Sequence, residues 1–299
     1  MCICSAAVDC EPIDTGDLEI QIDTGQSMGR LNKAIERIKQ REEGNTRRSA
    51  VAAQRIPDNR NGNARKSGDD LAASARKVNL SVPIMTANRV ITDEMDPRIR
   101  TAYKMLRTRL LQVMRTNQWQ SLAVTSANQG DGKTITAINL AISIAGDINH
   151  NVCLVDLDFR RSSVADYLGL EVKQGLSDYL QRNVPLSKVV IKPNTERLLI
   201  LPNKRTEINS SEILSSPSMQ ELTRKLKQDP SRIIIYDMPP VLAADDMLAF
   251  APTVDAVLFV AAKGNTARTD VMKAYELLEN VHIIGTVFNR SDEKTAAYY

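Results

Sequence analysis

The stretch "TSANQGDGKT", residues 125–134, decides the fold class because it joins an apolar strand pattern to a helical pattern. The run "SLAVTS" (121–126) leads into it, and the helical pattern begins near Lys133. A strand, a glycine-containing loop, Lys-Thr and a helix form the context in which a loop holds phosphate. Gly130 and Gly132 let backbone N–H groups turn inward without a Cβ in the way. We therefore predict a phosphate-binding loop at the positive end of a helix dipole.

The side chains of this loop fit a magnesium-bound nucleotide. Lys133 brings a full positive charge to the β- and γ-phosphates, and the Thr134 hydroxyl can ligate Mg²⁺. Asp131 lies between the two glycines, so we include it among the residues expected to contact the nucleotide. Ala127 stands where the motif usually has its first glycine, and a small residue can still make that turn.

Apolar strands and helices alternate from Ser121 onward. Strands are predicted at 121–126, 151–156, 197–202, 232–237, 254–262 and 283–288, and helices at 133–146, 217–228 and 267–280. An earlier helix is predicted from Asp96-Pro97, an N-cap acid followed by proline, to about Arg115. Continuous apolar strands separated by helices favour a mostly parallel sheet covered on both faces. We expect a doubly wound α/β domain of the phosphate-loop NTPase type over 96–290.

The remaining segments differ in composition from this domain. Six acidic residues and no Lys or Arg occur before Met28, which predicts a largely disordered N-terminal region. The predicted segments are an acidic tail (1–27), an amphipathic helix (28–44), a basic linker (45–95) and a C-terminal tyrosine tail (291–299).

Composition excludes several function classes. The formal net charge of +3 and the 4% aromatic content argue against nucleic acid as a partner. The four cysteines show no paired framework, which indicates a reducing compartment. No apolar run approaches the ~18 residues that a membrane helix needs. We expect a cytoplasmic protein that a partner recruits to the inner face of the membrane.

Two further strands of the predicted sheet end in acidic residues. "VCLVDLDFRR" (152–161) supplies Asp156 and Asp158, and "IIIYDMPP" (233–240) supplies Asp237. The carboxyl ends of parallel strands line one crevice, so these acids should meet the phosphate loop. A lone Asp after a strand is usually a turn or cap residue, but three such sites in this order favour a metal–nucleotide site. The candidate Mg²⁺ ligands are Thr134, Asp156 and Asp237.

The loop resembles the T-S-x-x-P-G-E-G-K-[ST] loop of the bacterial tyrosine autokinases of capsule and exopolysaccharide biosynthesis. Gln129 replaces Pro, and Asp131 replaces Glu. The resemblance continues in "NLA" (139–141), "VDLDFRR" (155–161), "GLSDYL" (175–180), "SSEILSSP" (210–217), "YDMPPVLAADD" (236–246) and "GTVFNR" (285–290). The related partitioning ATPases carry an extra lysine early in the loop, where this chain has Asn128.

The resemblance implies a protein-tyrosine kinase that uses ATP and Mg²⁺. Lys133 and the loop amides would hold the phosphates. Asp156 and Asp158 would lie at the γ-phosphate and the incoming hydroxyl, where an acid can accept the proton. Arg160 would stabilise the transferred charge, and Asn289 would contact adenine.

The resemblance also implies an acceptor and partners. The acceptors would be Tyr298 and Tyr299, and a separate membrane protein of the chain-length-determining type would activate the kinase. The family assembles through an E-x-x-R-x-x-R helix; here Thr101 and Lys104 replace the Glu and the first Arg, while Arg107 remains. The sequence therefore leaves undecided whether the protein forms a homo-oligomer.

Two alternatives stand beside the kinase hypothesis. The chain could be a nucleotide switch that binds and slowly hydrolyses ATP and regulates a membrane polysaccharide-assembly complex without phosphorylating tyrosine. The short tyrosine tail and the altered assembly helix favour that switch. The loop type, the Asp pair and "SSEILSSP" favour the kinase. A partitioning ATPase is a third hypothesis, disfavoured by Asn128.

Overall fold

The structure, a computed structural model, describes residues 19–21, 69–204 and 209–291. The amphipathic helix predicted over 28–44 lies outside the described residues. The same holds for the tyrosine tail after Ser291, including Tyr298 and Tyr299.

One sheet runs through the described residues, in the order β1-β9-β8-β3-β7-β4-β6-β5-β2. Its strands are β1 (Glu19–Gln21), β2 (Arg76–Val78), β3 (Ser121–Ser126), β4 (Asn151–Asp156), β5 (Ile191–Pro193), β6 (Leu198–Leu201), β7 (Arg232–Asp237), β8 (Ala256–Ala262) and β9 (Ile283–Asn289). The six strands from β9 to β6 are parallel, while β1 pairs antiparallel with β9 and β5 antiparallel with β6. The predicted, mostly parallel sheet is confirmed.

Helices cover both faces of this sheet. They are α1 (Asp69–Ser74), α2 (Val82–Ala87), α3 (Pro97–Thr116), α4 (Lys133–Ala145), α5 (Val164–Leu168), α6 (Leu176–Arg182), α7 (Leu186–Val189), α8 (Ser210–Leu214), α9 (Pro217–Leu226), α10 (Asp246–Phe250) and α11 (Arg268–Leu277). A 3₁₀ turn, Ala251–Thr253, follows α10. The predicted N-cap of α3 is present, since the Asp96 side chain accepts from the Arg98 N–H at 2.8 Å.

The alternation of buried side chains along the strands creates two hydrophobic cores. On β3, Leu122 and Val124 face a core that α2, α3, α4 and α5 close. Ala123 faces the opposite core, which α6, α9, α10 and α11 close. Strands that are apolar on both faces can be buried only between two helical layers. This double burial confirms the doubly wound fold. Because both faces are covered, a ligand can reach the sheet at the ends of its strands.

The structure differs from the linker predicted over 45–95 in the part that it describes, residues 69–95. There β2 pairs in parallel with β5, and α2 packs on the first core. Leu80, Met85 and Val90 are buried. Their spacing of five residues matches neither the helical nor the strand period, so their burial is evident only in the folded structure. In the same way, β1 lies within the acidic tail predicted over 1–27.

Burial of α2 can be tested with a matched pair of substitutions. Met85→Ala should lower the free energy of unfolding by about 2–5 kcal/mol, because it removes a packed core side chain. Val82→Ala, in the same helix, should change it by less than about 1 kcal/mol, since Val82 is 46% exposed. Urea denaturation followed by circular dichroism measures both. Equal, small effects would show that residues 69–95 are a linker after all.

Candidate active site

The phosphate loop connects β3 to α4, and its two glycines adopt a conformation that other residues avoid. The φ angles of Gly130 and Gly132 are +84° and +90°. Gly132 is also crowded, because a Cβ built there would lie 2.0 Å from the Asn289 Nδ2 atom. The backbone conformation of the loop therefore requires glycine at both positions.

A buried ion-pair cluster lies at the start of α4. Lys133 Nζ is 2.7 Å from Asp158 Oδ2 and 3.4 Å from Asp237 Oδ1. The Thr134 hydroxyl donates to Asp237 Oδ2 at 2.7 Å. All four of these residues are at least nine-tenths buried. The strand ends of β4 and β7 thus bring their acids to the phosphate loop, as the sheet topology predicts.

Asp156 adds a third carboxylate that is incompletely satisfied. Its Oδ2 accepts from the Val164 N–H at 3.2 Å, while its buried Oδ1 finds no hydrogen-bond partner among the described residues. Burial raises the pKa of Asp156 well above the usual carboxyl range, and the charge of Asp237 raises it further. Burial likewise raises the pKa of Asp237, against the opposing effect of Lys133.

The charge balance of the cluster favours cations. Burial tends to lower the pKa of Lys133, but the charges of Asp237 and Asp158 outweigh it, so the lysine stays charged. One lysine faces three carboxylates, which leaves an excess of buried negative charge when all are ionised. Carboxylate and hydroxyl oxygens are ligands that Mg²⁺ takes. Asp156 Oδ1 has no hydrogen-bond partner among the described residues, whereas the Thr134 hydroxyl would have to exchange its present contacts with Asp237 and Lys133 for the metal. The donor set therefore fits the expected metal.

The protein ligands would complete only part of a metal's coordination shell. Across the described ranges, no group of three or more His, Cys, Asp or Glu side chains is arranged to hold a metal ion. Mg²⁺ commonly binds through one or two carboxylates together with waters and substrate phosphates. The phosphate loop lies beside these acids and would let a nucleotide supply the remaining oxygens.

The Asp131 side chain, expected to contact the nucleotide, accepts hydrogen bonds from other residues of the protein instead. Its Oδ1 accepts from Asn265 Nδ2 and from the Thr266 hydroxyl, both at 2.6 Å. Its Oδ2 accepts from the Asn128 N–H at 2.9 Å. This fully buried carboxylate is engaged within the protein, so any contact of Asp131 with phosphate would come from its backbone N–H.

Asn289 and Arg160, both expected at the site, lie in different surroundings. Asn289 Nδ2 donates to the Asp131 carbonyl at 3.0 Å, which places this side chain against the phosphate loop. Arg160 Nε donates to the Ser210 hydroxyl at 3.2 Å and lies 3.5 Å from Asp246 Oδ2. In the described part of the chain, Arg160 forms no ion pair with Asp156 or Asp158. The structure thus separates Arg160 from the lysine cluster.

Several residues near the loop carried no signal in the sequence. Arg161 Nη1 donates to Gln129 Oε1 at 3.3 Å, linking the turn after β4 to the phosphate loop. Ser163 Oγ is 3.5 Å from Thr134 Oγ1. Asn265 and Thr266, from the turn after β8, were missed because no motif spacing relates them to the loop. Only the neighbouring position of β8 and β3 in the sheet brings them there.

The sequence of this chain is similar to a P-loop NTPase family and to named bacterial tyrosine-protein kinases. A family model described as "ParA: NUBPL iron-transfer P-loop NTPase" matches residues 117–296. The chain is 30% identical over 189 residues to tyrosine-protein kinase YwqD of Bacillus subtilis, covering 62% of this chain and 79% of that protein. It is 29% identical over 180 residues to tyrosine-protein kinase CpsD of Streptococcus agalactiae, covering 59% and 78%.

The chain belongs to the bacterial tyrosine-protein kinase family. A solved structure agrees: the kinase domain of Escherichia coli tyrosine kinase ETK superposes with a TM-score of 0.61 at 25% identity, over 75% of this chain and 93% of that one. Membership of a P-loop NTPase family implies nucleotide binding.

The helix that the resemblance predicts to carry the family's assembly motif is α3. Thr101 and Lys104 are exposed on it. Arg107, the remaining motif residue, donates from Nη1 to the Ser143 carbonyl at 2.9 Å and so connects α3 to α4.

In the described part of the chain, none of the helices has the length and hydropathy that a membrane-spanning segment requires.

Gly132→Ala should weaken nucleotide binding strongly, because its methyl group would displace the Asn289 amide from the loop. Gly264→Ala is the matched control: its φ is +73°, but nothing lies within 4 Å of the added carbon. Both should lose about 1–2 kcal/mol of stability to backbone strain. Calorimetric titration with Mg-ADP should show reduced affinity for Gly132→Ala alone. Equal affinities would mean that the close approach of Asn289 is unimportant.

Stability should depend on the protonation of Asp156. Because its folded pKa is raised, the folded state holds the proton more tightly than the unfolded chain, so stability falls as pH rises from about 4 through that pKa. Asp156→Asn should be more stable than wild type at pH 7, with a difference that shrinks towards pH 4. Urea melts at both pH values measure this, with exposed Asp93→Asn as the control. A variant less stable at pH 7 would contradict the assignment.

Proposed function

We propose that this protein is a protein-tyrosine kinase that uses Mg-ATP and phosphorylates its own Tyr298 and Tyr299. The observation that supports this most is the buried contact of Lys133 with Asp158 and Asp237 directly behind the phosphate loop. One buried cluster thereby holds a positive charge that can bind the phosphates and carboxylates that can bind the metal or accept a proton. The similarity to the named tyrosine kinases gives the acceptor class.

Nucleotide binding involves the loop and the first residues of α4. The backbone N–H groups around Gly130 and Gly132 and the positive end of α4 surround the β-phosphate. Lys133 exchanges part of its contact with Asp158 for the phosphate oxygens. Mg²⁺, when bound, neutralises phosphate charge during transfer. Thr134 and Asp237 are the protein groups proposed to hold it, which leaves Asp156, the third candidate ligand, free to take the proton.

The transfer step needs a proton acceptor for the tyrosine hydroxyl. The phenol oxygen forms a bond to the γ-phosphorus, the bond from that phosphorus to the bridging oxygen breaks, and ADP leaves with the electron pair. The phenol has a pKa near ~10, so a carboxylate whose own pKa is raised is better matched to take its proton. Asp156 has such a raised pKa, and its Oδ1 has no hydrogen-bond partner in the described residues. Asp158, two residues on, is the second candidate.

Arg160 would act at the rim of this site rather than in its centre. Its side chain is about half exposed, with Ser210 and Asp246 holding its Nε atom. Its Nη2 atom lies 3.9 Å from Asp245 Oδ1, so an anionic group would compete with that exposed carboxylate for the guanidinium. Asn289, beside the loop, is the proposed adenine contact.

The cellular setting follows from the family and remains part of the proposal. The kinase would act in the cytoplasm and regulate the polymerisation or export of a capsular or exopolysaccharide. A membrane protein of the chain-length-determining type would recruit it and stimulate it. A homo-oligomer is compatible with phosphorylation of one subunit's tail by another. Nucleic acid is not a proposed partner.

A nucleotide switch is the second candidate function. It is favoured by α3, where two charged positions of the assembly motif are replaced and Arg107 binds within its own subunit. In this alternative the protein binds ATP and regulates the same membrane machinery without transferring phosphate to tyrosine. The two candidates share the nucleotide site and differ only in the acceptor.

Mass spectrometry of the C-terminal peptide distinguishes the two candidates. After incubation of the full chain with Mg-ATP, phosphate should appear on Tyr298 or Tyr299. Asp156→Asn should lose most of the signal, Lys133→Met should lose it by losing the nucleotide, and exposed Lys188→Met should keep it. If wild-type protein binds ATP but its tyrosines stay unmodified, with and without a membrane activator fragment, the switch replaces the kinase.

A further inference from the structure

The outer side of the phosphate loop is held by three side-chain donors from the opposite half of the sheet. The Gln129 carbonyl accepts from Asn265 Nδ2 at 2.9 Å. The Gly130 carbonyl accepts from Arg290 Nη2 at 2.7 Å, and the Asp131 carbonyl from Asn289 Nδ2 at 3.0 Å. Three successive peptide groups thus have their oxygens fixed on the outside of the loop.

The other side of the same peptides is free to meet an anion. The N–H groups of Gly130, Asp131 and Gly132 find no acceptor among the described residues. In a trans peptide the N–H and C=O point in opposite directions, so fixing the oxygen of one residue orients the N–H of the next. Outward carbonyls at 129, 130 and 131 therefore direct inward the N–H groups that form an anion-binding nest.

Asp131 reinforces this arrangement through the same asparagine. Asn265 Nδ2 is shared between the Gln129 carbonyl and the Asp131 carboxylate. Thr266, the next residue, donates to Asp131 and accepts from the Ala262 N–H at the end of β8. The loop conformation is thereby tied to the end of β8, a strand that pairs with β3 on one side and β9 on the other.

We propose that Asn265 and Arg290 are positioning residues for nucleotide binding, which preset the phosphate loop from outside. Both side chains are exposed. The bond from Arg290 to the Gly130 carbonyl therefore contributes little to overall stability. Asn265 also donates to the buried Asp131 carboxylate, which keeps its bonds from Thr266 and the Asn128 N–H when Asn265 is replaced. An unconstrained loop would have to be ordered each time phosphate binds. Preorganisation of this kind increases affinity by reducing the entropy lost on binding. The inference rests on the nucleotide-binding part of the proposed function and not on the tyrosine acceptor.

The variants separate hydrogen bonding from charge and from folding. Arg290→Met removes the donor to Gly130, whereas Arg290→Lys keeps a donor and the positive charge. Asn265→Ala removes both bonds of the shared amide. Asn280→Ala is the matched control. Asn280 is an exposed asparagine beyond the end of α11, and among the described residues its amide meets only Glu279.

The measurement is the dissociation constant of Mg-ADP for the full chain by calorimetric titration, together with the melting temperature without nucleotide. Asn265→Ala and Arg290→Met should each weaken binding about five- to tenfold, the loss expected for one or two hydrogen bonds. The melting temperature of Arg290→Met should stay within about 2 °C of wild type, whereas Asn265→Ala should melt a few degrees lower because the buried Asp131 carboxylate loses one donor. Arg290→Lys should recover most of the affinity, and Asn280→Ala should bind like wild type.

Two results would overturn the inference. Unchanged Mg-ADP affinity in Asn265→Ala and Arg290→Met, with wild type binding normally, would show that the outer bonds do not set the loop. A loss of affinity in Arg290→Met that is matched by a lower melting temperature, and not recovered by Arg290→Lys, would assign these residues a structural role only. If wild type itself bound no Mg-ADP, the nucleotide assignment would fail first.

Discussion

Lys133 in contact with Asp158 and Asp237 is the interaction on which the site depends. Three carboxylates gathered in a water-poor place would repel one another if a positive charge were not among them. Lys133 offsets part of that repulsion, while burial, together with the neighbouring carboxylate charges, still raises the pKa values of Asp156 and Asp237. A magnesium-bound nucleotide is the partner that this imbalance suits, because it brings both the missing cation and the phosphates.

The topology of the sheet brings these charged side chains together. Its parallel strands are buried between two helical layers, so their carboxyl ends are the part of each strand left open to a ligand. The acids come from β4 and β7 on one side of β3, and the loop-holding residues come from the turns after β8 and β9 on the other. The phosphate loop is therefore held from both sides, by charge pairs towards the ligand and by hydrogen bonds to its carbonyls away from it.

The sequence predicted those features that depend on local pattern. The apolar runs gave β3, β4 and β7 their ends, and each predicted strand lies within two residues of the observed one. The acids Asp156, Asp158 and Asp237 were predicted to converge because parallel topology leaves them no other arrangement. By contrast, the burial of Met85, the side-chain partners of Asp131 and the position of Arg160 are set by tertiary contacts. No periodicity or spacing relates Asp131 to Asn265, which lies 134 residues further along the chain. These contacts appear only when the finished sheet brings β8 next to β3.

A metal-bound nucleotide should complete the cluster of Lys133 and the buried acids. Calorimetric titration of the wild-type chain and of Asp237→Asn with ADP, in excess Mg²⁺ and in excess EDTA, tests this most directly. Mg²⁺ should strengthen ADP binding to wild type by at least about tenfold, and Asp237→Asn should lose this dependence. ADP binding that is the same with and without Mg²⁺ in the wild-type protein would contradict it.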